Sequence, residues 1–279
     1  MLKQRVITGL VMATAVILAI VYLPVSGLML LLAIVMLIAS WEWANLSGFT
    51  SYPTQFCYLL FVALLLALLV HFGGLLSITT DWLPLRDVIG AGCLWWAVAL
   101  LWVKSYPASA VLWRSRWVRG LMGLFTLIPA WLALVYLRSY EAGQALILIL
   151  VAFVASADIG AYFSGKRWGK AKLAPNVSPG KSWAGFWGGL VASNIFAVAV
   201  WYACGQPLLE LAELLSIAPI VAVVSVLGDL LESMVKRQRG IKDSGKILPG
   251  HGGVLDRIDS LTAAAPVFAL SLMLVAESV

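Results

Sequence analysis

The chain has 279 residues, of which 62% are hydrophobic and only 11% are charged, whereas a soluble domain carries about 25% charged residues. Together with a mean hydropathy of +0.97, this composition excludes an ordinary soluble enzyme and predicts an all-α, polytopic integral membrane protein. The net charge of +6 does not indicate a nucleic-acid partner, because the basic residues of membrane proteins gather on cytoplasmic loops.

Apolar runs long enough to cross a bilayer, which takes about 20 residues, follow one another along the whole chain. The first run begins with basic residues, as a signal peptide does, but no cleavage site follows and a second apolar run starts at once. We therefore interpret it as a retained span. The sequence predicts nine spans, at residues 6–23, 27–46, 56–72, 88–103, 120–137, 143–163, 183–204, 214–235 and 260–277.

The Lys and Arg residues fix the predicted orientation. With the N-terminus in the cytoplasm, every Lys and Arg except Arg86 and Arg138 falls on a cytoplasmic segment, as the positive-inside rule requires. We divide the chain into N-terminal transmembrane helices, 1–140, and a C-terminal transmembrane region, 141–279. The second region is predicted to carry the cytoplasmic loops 165–182 and 233–259.

Charged residues concentrate in the segment 233–259 of this otherwise apolar chain. Its cations are Lys236, Arg237, Arg239, Lys242, Lys246 and Arg257, its carboxylates are Asp243, Asp256 and Asp259, and Asp229 and Glu232 precede it. Lys and Arg neutralise phosphate oxygens, and carboxylates hold hard cations such as Mg²⁺ that bridge to phosphates. This mixture predicts a site that handles phosphate together with a divalent metal.

The carboxylates are predicted to come from two helix ends. Asp229, Glu232 and Lys236 are spaced i, i+3 and i+7, so they share one helix face if the eighth span continues that far. Asp256 and Asp259 are spaced i and i+3 at the entry to the ninth span. Local salt bridges, such as Glu232 with Lys236, are the alternative interpretation, but pairing alone does not explain why so many acids gather here.

The glycine-rich sequence between these two spans is predicted to hold phosphate. Gly252 and Gly253 let backbone N–H groups approach a ligand closely, and Lys242 and His251 stand beside them. A simple turn is the alternative interpretation of the glycines. His251 serves either as a structural donor or as a catalytic group, and a zinc site is disfavoured because no second His or Cys lies nearby.

The loop 165–182 supplies further cations, among them Lys166, Arg167 and Lys181, next to Ser178. One interpretation is a topology determinant that touches anionic lipid. The other is direct binding of substrate, and the sequence favours neither.

Two further acids, outside that cluster and on the predicted cytoplasmic side, lie within or at the end of apolar spans, where an unpaired charge is costly. Asp158 comes shortly before the loop 165–182, so it is expected either to reach the metal or to pair with Lys166. Glu42 lies between two Trp residues at the end of the second span. It has no assigned partner, and a polar anchor at the membrane surface is the default interpretation.

These residues resemble the signature of a known family. The run from Ser233 to Asp259, with Lys-Asp-Ser-Gly at 242–245 and Leu-Pro-Gly-His-Gly-Gly-Val-Leu-Asp-Arg-Ile-Asp at 248–259, is similar to that of the phosphatidate cytidylyltransferases, also called CDP-diacylglycerol synthases. Asp158-Ile-Gly-Ala-Tyr-Phe and Ser178-Pro-Gly-Lys-Ser also resemble that family. The first 140 residues agree with it only in being hydrophobic spans.

The resemblance implies that CTP and phosphatidate react to give CDP-diacylglycerol and pyrophosphate, in phospholipid biosynthesis at the cytoplasmic (inner) membrane of a bacterium. It implies Mg²⁺ and allows K⁺ as a further cation; CTP, phosphatidate and membrane lipid are the expected partners, and a homodimer is allowed. The residues assigned to metal binding are Asp229, Asp256, Asp243 and Asp259; those assigned to catalysis are Asp229, Lys236, Lys242, Asp243, Asp256 and Arg257; those assigned to substrate binding are Lys166, Arg167, Ser178, Lys181, Arg237, His251, Gly252 and Gly253.

Two other functions are less compatible with the sequence. A CDP-alcohol phosphotransferase, which would use CDP-diacylglycerol rather than make it, would carry a DGxxAR motif followed by spaced Asp residues, and that pattern is absent. A transporter of anionic solutes would have charges deep in its spans and two related halves. Here the ionisable groups cluster on one predicted face of the membrane instead.

Overall fold

A computed structural model describes residues 2–77, 80, 82–204 and 210–278. Nine α-helices run through these residues: α1 (Leu2–Tyr22), α2 (Val25–Ser47), α3 (Tyr52–Phe72), α4 (Leu83–Lys104), α5 (Arg116–Ser139), α6 (Gly143–Trp168), α7 (Trp183–Cys204), α8 (Leu211–Arg239) and α9 (Leu255–Ser278). A short antiparallel hairpin, β1 (Lys172–Ala174) and β2 (Ser178–Ser182), connects α6 to α7. The predicted all-α class is confirmed.

Each predicted span coincides with one helix of the described chain, because an apolar run of this length satisfies its own backbone polar groups only as a helix. All but α1 are long and apolar enough to cross a membrane, while the apolar part of α1, Ile7–Tyr22, is shorter. Several helices extend further than the predicted spans. In particular, α8 continues through its polar end to Arg239.

The helix α5 lies at the centre of the bundle. Of its most hydrophobic stretch, 78% is buried inside the protein, against 17% for α3, so α3 presents most of its surface outward. The central helix α5 packs against α2, α4, α6 and α9. The N-terminal and C-terminal helices therefore share one core.

Small residues allow the closest helix pair, α6 and α7, to pack backbone against backbone. A Cβ added to Gly160 would overlap Ala192 and Gly188, and one added to Gly188 would overlap Ser164. Such contacts between small residues are common between helices in membranes. They hold the hairpin, which joins the two helices, close to the end of α6.

Candidate active site

The polar end of α8 is a regular continuation of its apolar part. Ser233 Oγ donates to Asp229 Oδ1 at 3.1 Å, and Lys236 Nζ lies 3.3 Å from Glu232 Oε1, so the predicted shared face exists. The helix ends at Gly240, whose φ of 75° is a left-handed conformation that glycine adopts without strain. This helix end supplies one wall of a polar site.

The first turn of α9 supplies the facing wall. Lys236 Nζ donates to Asp256 Oδ1 at 2.7 Å and so connects the two helices. Asp256 Oδ2 accepts hydrogen bonds from the backbone N–H groups of Ser244 and Gly253, at 3.0 and 2.8 Å. A carboxylate is favourable at this position because unpaired N–H groups and the helix dipole make a helix N-terminus electropositive.

A cavity of about 570 Å³ opens between α6, α8 and α9. All of the predicted catalytic and metal-binding residues line it. Its polar lining consists of Asp158, Asp229, Ser233, Lys236, Arg237, Lys242, Asp243, Asp256, Arg257, Asp259 and Ser260. Its remaining lining is apolar and comes from Val151, Val154, Ala155 and Leu261. The cavity is therefore charged on one side and hydrocarbon-like on the other.

A second cavity, of about 530 Å³, lies under the glycine-rich loop and shares Lys242, Asp243 and Arg257 with the first. His251 and Gly252 line it as well. The φ of Gly252 is 86°, and a Cβ there would press on the Asp256 carboxylate. The two adjoining cavities together offer room for a ligand with several phosphates beside the cations Lys242 and Arg257.

The hairpin reaches this site through one of its predicted cations. Lys181 Nζ lies 2.8 Å from Asp229 Oδ2, and Arg237 Nε donates to the carbonyl of Val177 at 3.1 Å. Strands were not predicted in this polar loop. Pairing of β1 with β2 orients Lys181 toward α8.

Five predicted substrate-binding residues line neither cavity. Two of them, Lys181 and Gly253, contact the carboxylates of Asp229 and Asp256, while Lys166, Arg167 and Ser178 do not. Lys166 and Arg167 are exposed in the last turn of α6, and Lys166 Nζ lies 5.9 Å from the centre of the Tyr162 ring. Ser178 pairs with Ala174 in the hairpin. Their roles in substrate binding remain predictions.

Glu232, which was left out of the predicted site residues, belongs to the same cluster. Its side chain is 2% exposed, and it interacts electrostatically with Lys236, Asp256 and Asp259. Asp158 in turn interacts with Asp229 and Lys181. The helical spacing of Glu232 from Asp229 and Lys236 was the signal in the sequence that could have identified Glu232 as a site residue.

The carboxylates of this cluster are ligands of the type that a hard cation prefers. They outnumber the two lysines, Lys181 and Lys236, that form the ion pairs of the described site, and Glu232 and Asp256 share Lys236 between them. In the part of the chain that the structure describes, however, no three His, Cys, Asp or Glu side chains converge as a ready-made metal site. The lysines and backbone N–H groups engage the carboxylates instead.

Glu42 also lies at this site, although its sequence suggested only a polar anchor. Its side chain is buried at the end of α2 and accepts hydrogen bonds from the segment that leads into α9. The available signal was an acid at the end of an apolar span, which calls for a partner. The sequence did not indicate where that partner lies.

Comparisons with known proteins show the family of the chain. Residues 3–275 match the sequence model of the cytidylyltransferase family. The chain is 46% identical over 269 residues to a phosphatidate cytidylyltransferase of Pseudomonas aeruginosa, with 96% of each chain covered. It is 38% identical over 280 residues to one of Haemophilus influenzae, covering 96% of this chain and 97% of that protein. The chain therefore belongs to the cytidylyltransferase family, and it is a nucleotidyltransferase built as a bundle of apolar helices.

Proposed function

We propose that this chain joins CTP to phosphatidate, giving CDP-diacylglycerol and pyrophosphate, and that it requires Mg²⁺. The observation that carries the proposal is the 570 Å³ cavity, in which cations and carboxylates face a strip of apolar side chains. Phosphatidate combines a phosphate with acyl chains, so it matches both parts of that lining. The relatives' names point to the same substrate.

The apolar part of the lining lies deeper in the bundle than the charged part. Val151, Val154 and Ala155 precede Asp158 on α6 by up to two turns, at about 1.5 Å of rise per residue. An acyl-glycerol group can lie against them while the phosphate reaches the charged end. The adjoining cavity with His251 and Gly252 then serves the nucleotide.

The reaction forms one P–O bond and breaks another. A phosphate oxygen of phosphatidate attacks the α-phosphorus of CTP, and the bond from that phosphorus to the bridging oxygen breaks, so pyrophosphate leaves with its electron pair. No strong general base is needed, because the attacking group is already an oxyanion. The problem is repulsion between anions, which Lys236, Lys242 and Arg257 reduce while they align the reactants.

The carboxylates are proposed to hold Mg²⁺ as the sequence suggested, with Asp229 and Asp256 as main ligands and Asp243 and Asp259 as further candidates. When bound, the metal offsets phosphate charge. Lys181 and Lys236 engage Asp229 and Asp256 in this structure, so these lysines must share or exchange the carboxylates with the metal. K⁺ as a further cation and a homodimer remain predictions.

The site is proposed to face the cytoplasm of a bacterial cytoplasmic membrane. The site residues lie at the ends of α2, α6 and α8 and at the start of α9, which is the end of the bundle where basic residues concentrate. By the positive-inside rule this end is cytoplasmic. CTP would reach the site from the cytoplasm while the acyl chains of phosphatidate stay in lipid.

A reconstituted reaction tests the proposal. Purified protein in detergent is incubated with labelled CTP, phosphatidate and Mg²⁺, and lipid product and pyrophosphate are both measured. We expect equal amounts of the two, and neither when any one component is omitted. A monodisperse protein that forms no product, or that releases CMP from added CDP-diacylglycerol and an alcohol, would contradict the proposal and favour a CDP-alcohol phosphotransferase.

A further inference from the structure

Glu42 makes a dense set of contacts with a distant part of the chain. Its side chain is buried, with the residue 3% exposed. Oε2 accepts hydrogen bonds from Ser244 Oγ at 2.9 Å and from the backbone N–H of Leu255 at 2.8 Å. Oε1 accepts one from the N–H of Val254 at 3.0 Å. The carboxylate therefore caps the N-terminus of α9 from another helix, where negative charge is favoured.

Two glycines leave the space that this carboxylate occupies. A Cβ on Gly245 would overlap Glu42 Oε1, and a Cβ on Gly253 would overlap both Ser244 Oγ and the Glu42 carboxylate. Both glycines belong to the polar segment before α9, which was expected to need glycine for ligand approach. Here they admit a protein carboxylate, so the segment is shaped around Glu42 as well as around its own turns.

The same segment holds Asp256 from its other side. The N–H groups of Ser244 and Gly253 donate to the Asp256 carboxylate, and the neighbouring groups, Ser244 Oγ and the N–H of Val254, donate to Glu42. Residues 244–255 thus donate hydrogen bonds to Glu42 on one side and to Asp256 on the other. A change in Glu42 is transmitted to Asp256 through backbone, without any contact between the two carboxylates being required.

The position of Glu42 is itself fixed by its own helix. The carbonyl of Asn45 accepts from Arg239 Nε at 3.1 Å, and the carbonyl of Ser47 accepts from Arg119 Nε at 3.0 Å. Trp43 Nε1 donates to the carbonyl of Arg119 at 2.8 Å. These bonds attach the end of α2 to α5 and α8. The backbone that carries Glu42 is therefore held in place by its neighbours.

We propose that Glu42 is a positioning residue for the transferase reaction: it sets the place of the glycine-rich segment and, through it, of Asp256. The expected effect on catalysis rests on the proposed function. The expected effect on the position of the segment rests on the hydrogen bonds alone. Because the segment lines the nucleotide side of the site, loss of Glu42 affects use of CTP more than binding of phosphatidate.

The test compares Glu42→Gln with wild type and with Ser40→Ala. Ser40 is also fully buried in α2, but its hydroxyl bonds only within its own helix in the described structure. For Glu42→Gln we expect kcat to fall about 10- to 100-fold, the rate equivalent of a lost charge-assisted hydrogen bond. We expect a higher KM for CTP and an unchanged KM for phosphatidate. Ser40→Ala should match wild type.

Hydrogen exchange provides a second measurement that does not depend on activity. Amides of residues 244–257 should exchange faster in Glu42→Gln than in wild type, while those of α6 and α7 exchange at the same rate. A kcat that falls only in proportion to the folded fraction, with both KM values unchanged, would overturn the inference. So would unchanged exchange over 244–257. If wild type itself makes no product, the proposed function fails, and exchange alone then decides the positioning role.

Discussion

Lys236 is the cation that two buried carboxylates share, which makes its removal a demanding test of the site. Its Nζ lies 2.7 Å from Asp256 and 3.3 Å from Glu232, and the three side chains are 11%, 6% and 2% exposed. At an effective dielectric constant of about 20, each contact has a gross Coulomb energy of about 5–6 kcal/mol. Desolvation offsets most of it, but removing one partner of a buried pair still costs about 3–5 kcal/mol.

We therefore expect Lys236→Met to lower the free energy of unfolding by about 3–5 kcal/mol. The double variant Glu232→Gln with Lys236→Met should recover about half of that loss, because one of the two stranded charges is then neutral. Unfolding by SDS in mixed micelles measures both values. The matched control is Lys170→Met, at an exposed lysine, which should change stability by less than about 0.5 kcal/mol.

Activity separates the two roles of this lysine. Both variants should be inactive, since neither has the cation that we propose to face the reacting phosphates, although the double variant should be largely folded. If Lys236→Met is as stable as wild type, the carboxylates are neutralised in some other way and the charge argument for this site is wrong. If the double variant recovers activity along with stability, Lys236 acts only in the fold.

Three further predictions concern metal, orientation and backbone. Asp229→Asn and Asp256→Asn should each abolish CTP-dependent product formation while the protein still inserts into membranes; near-normal turnover in either would count against the metal assignment. A cysteine replacing Lys170, which is exposed beside the hairpin, should react with an impermeant maleimide only from the cytoplasmic side, and labelling from outside would reverse the orientation. Gly253→Ala should reduce turnover at least tenfold, because its Cβ overlaps neighbouring oxygens. Gly90→Ala, where a Cβ meets nothing within 4 Å, should not reduce turnover. Equal activity of the two variants would refute the argument from steric overlap at Gly253.

Features governed by local sequence were predictable. The spans follow from runs of apolar residues that have only one way to satisfy their backbone in lipid. The shared face of Asp229, Ser233 and Lys236 follows from helical periodicity, once α8 is assumed to continue past its apolar part. The convergence of α8 and α9 was indicated by the concentration of acids and bases around a short connection.

Features that depend on distant contacts were not predictable. The hairpin 172–182 has no alternating apolar pattern, and it forms where α6 and α7 are brought together by small residues. Glu42 and Ser244 are 202 positions apart in the chain, and nothing in either local sequence indicates the other. The side chain on α2 could be recognised as needing a partner, but only the packed bundle shows which.

The contact between Glu42 and the start of α9 changes what the proposed boundary near residue 140 means. The boundary separates the half of the sequence without the recognisable motif from the half that carries it. Yet α2, α4 and α5 all touch α8 or α9, and one acid from the first half completes a hydrogen-bonded unit in the second. The candidate active site is thus a composite of both halves, so transplanting the motif-bearing portion alone onto another set of helices would leave it incomplete.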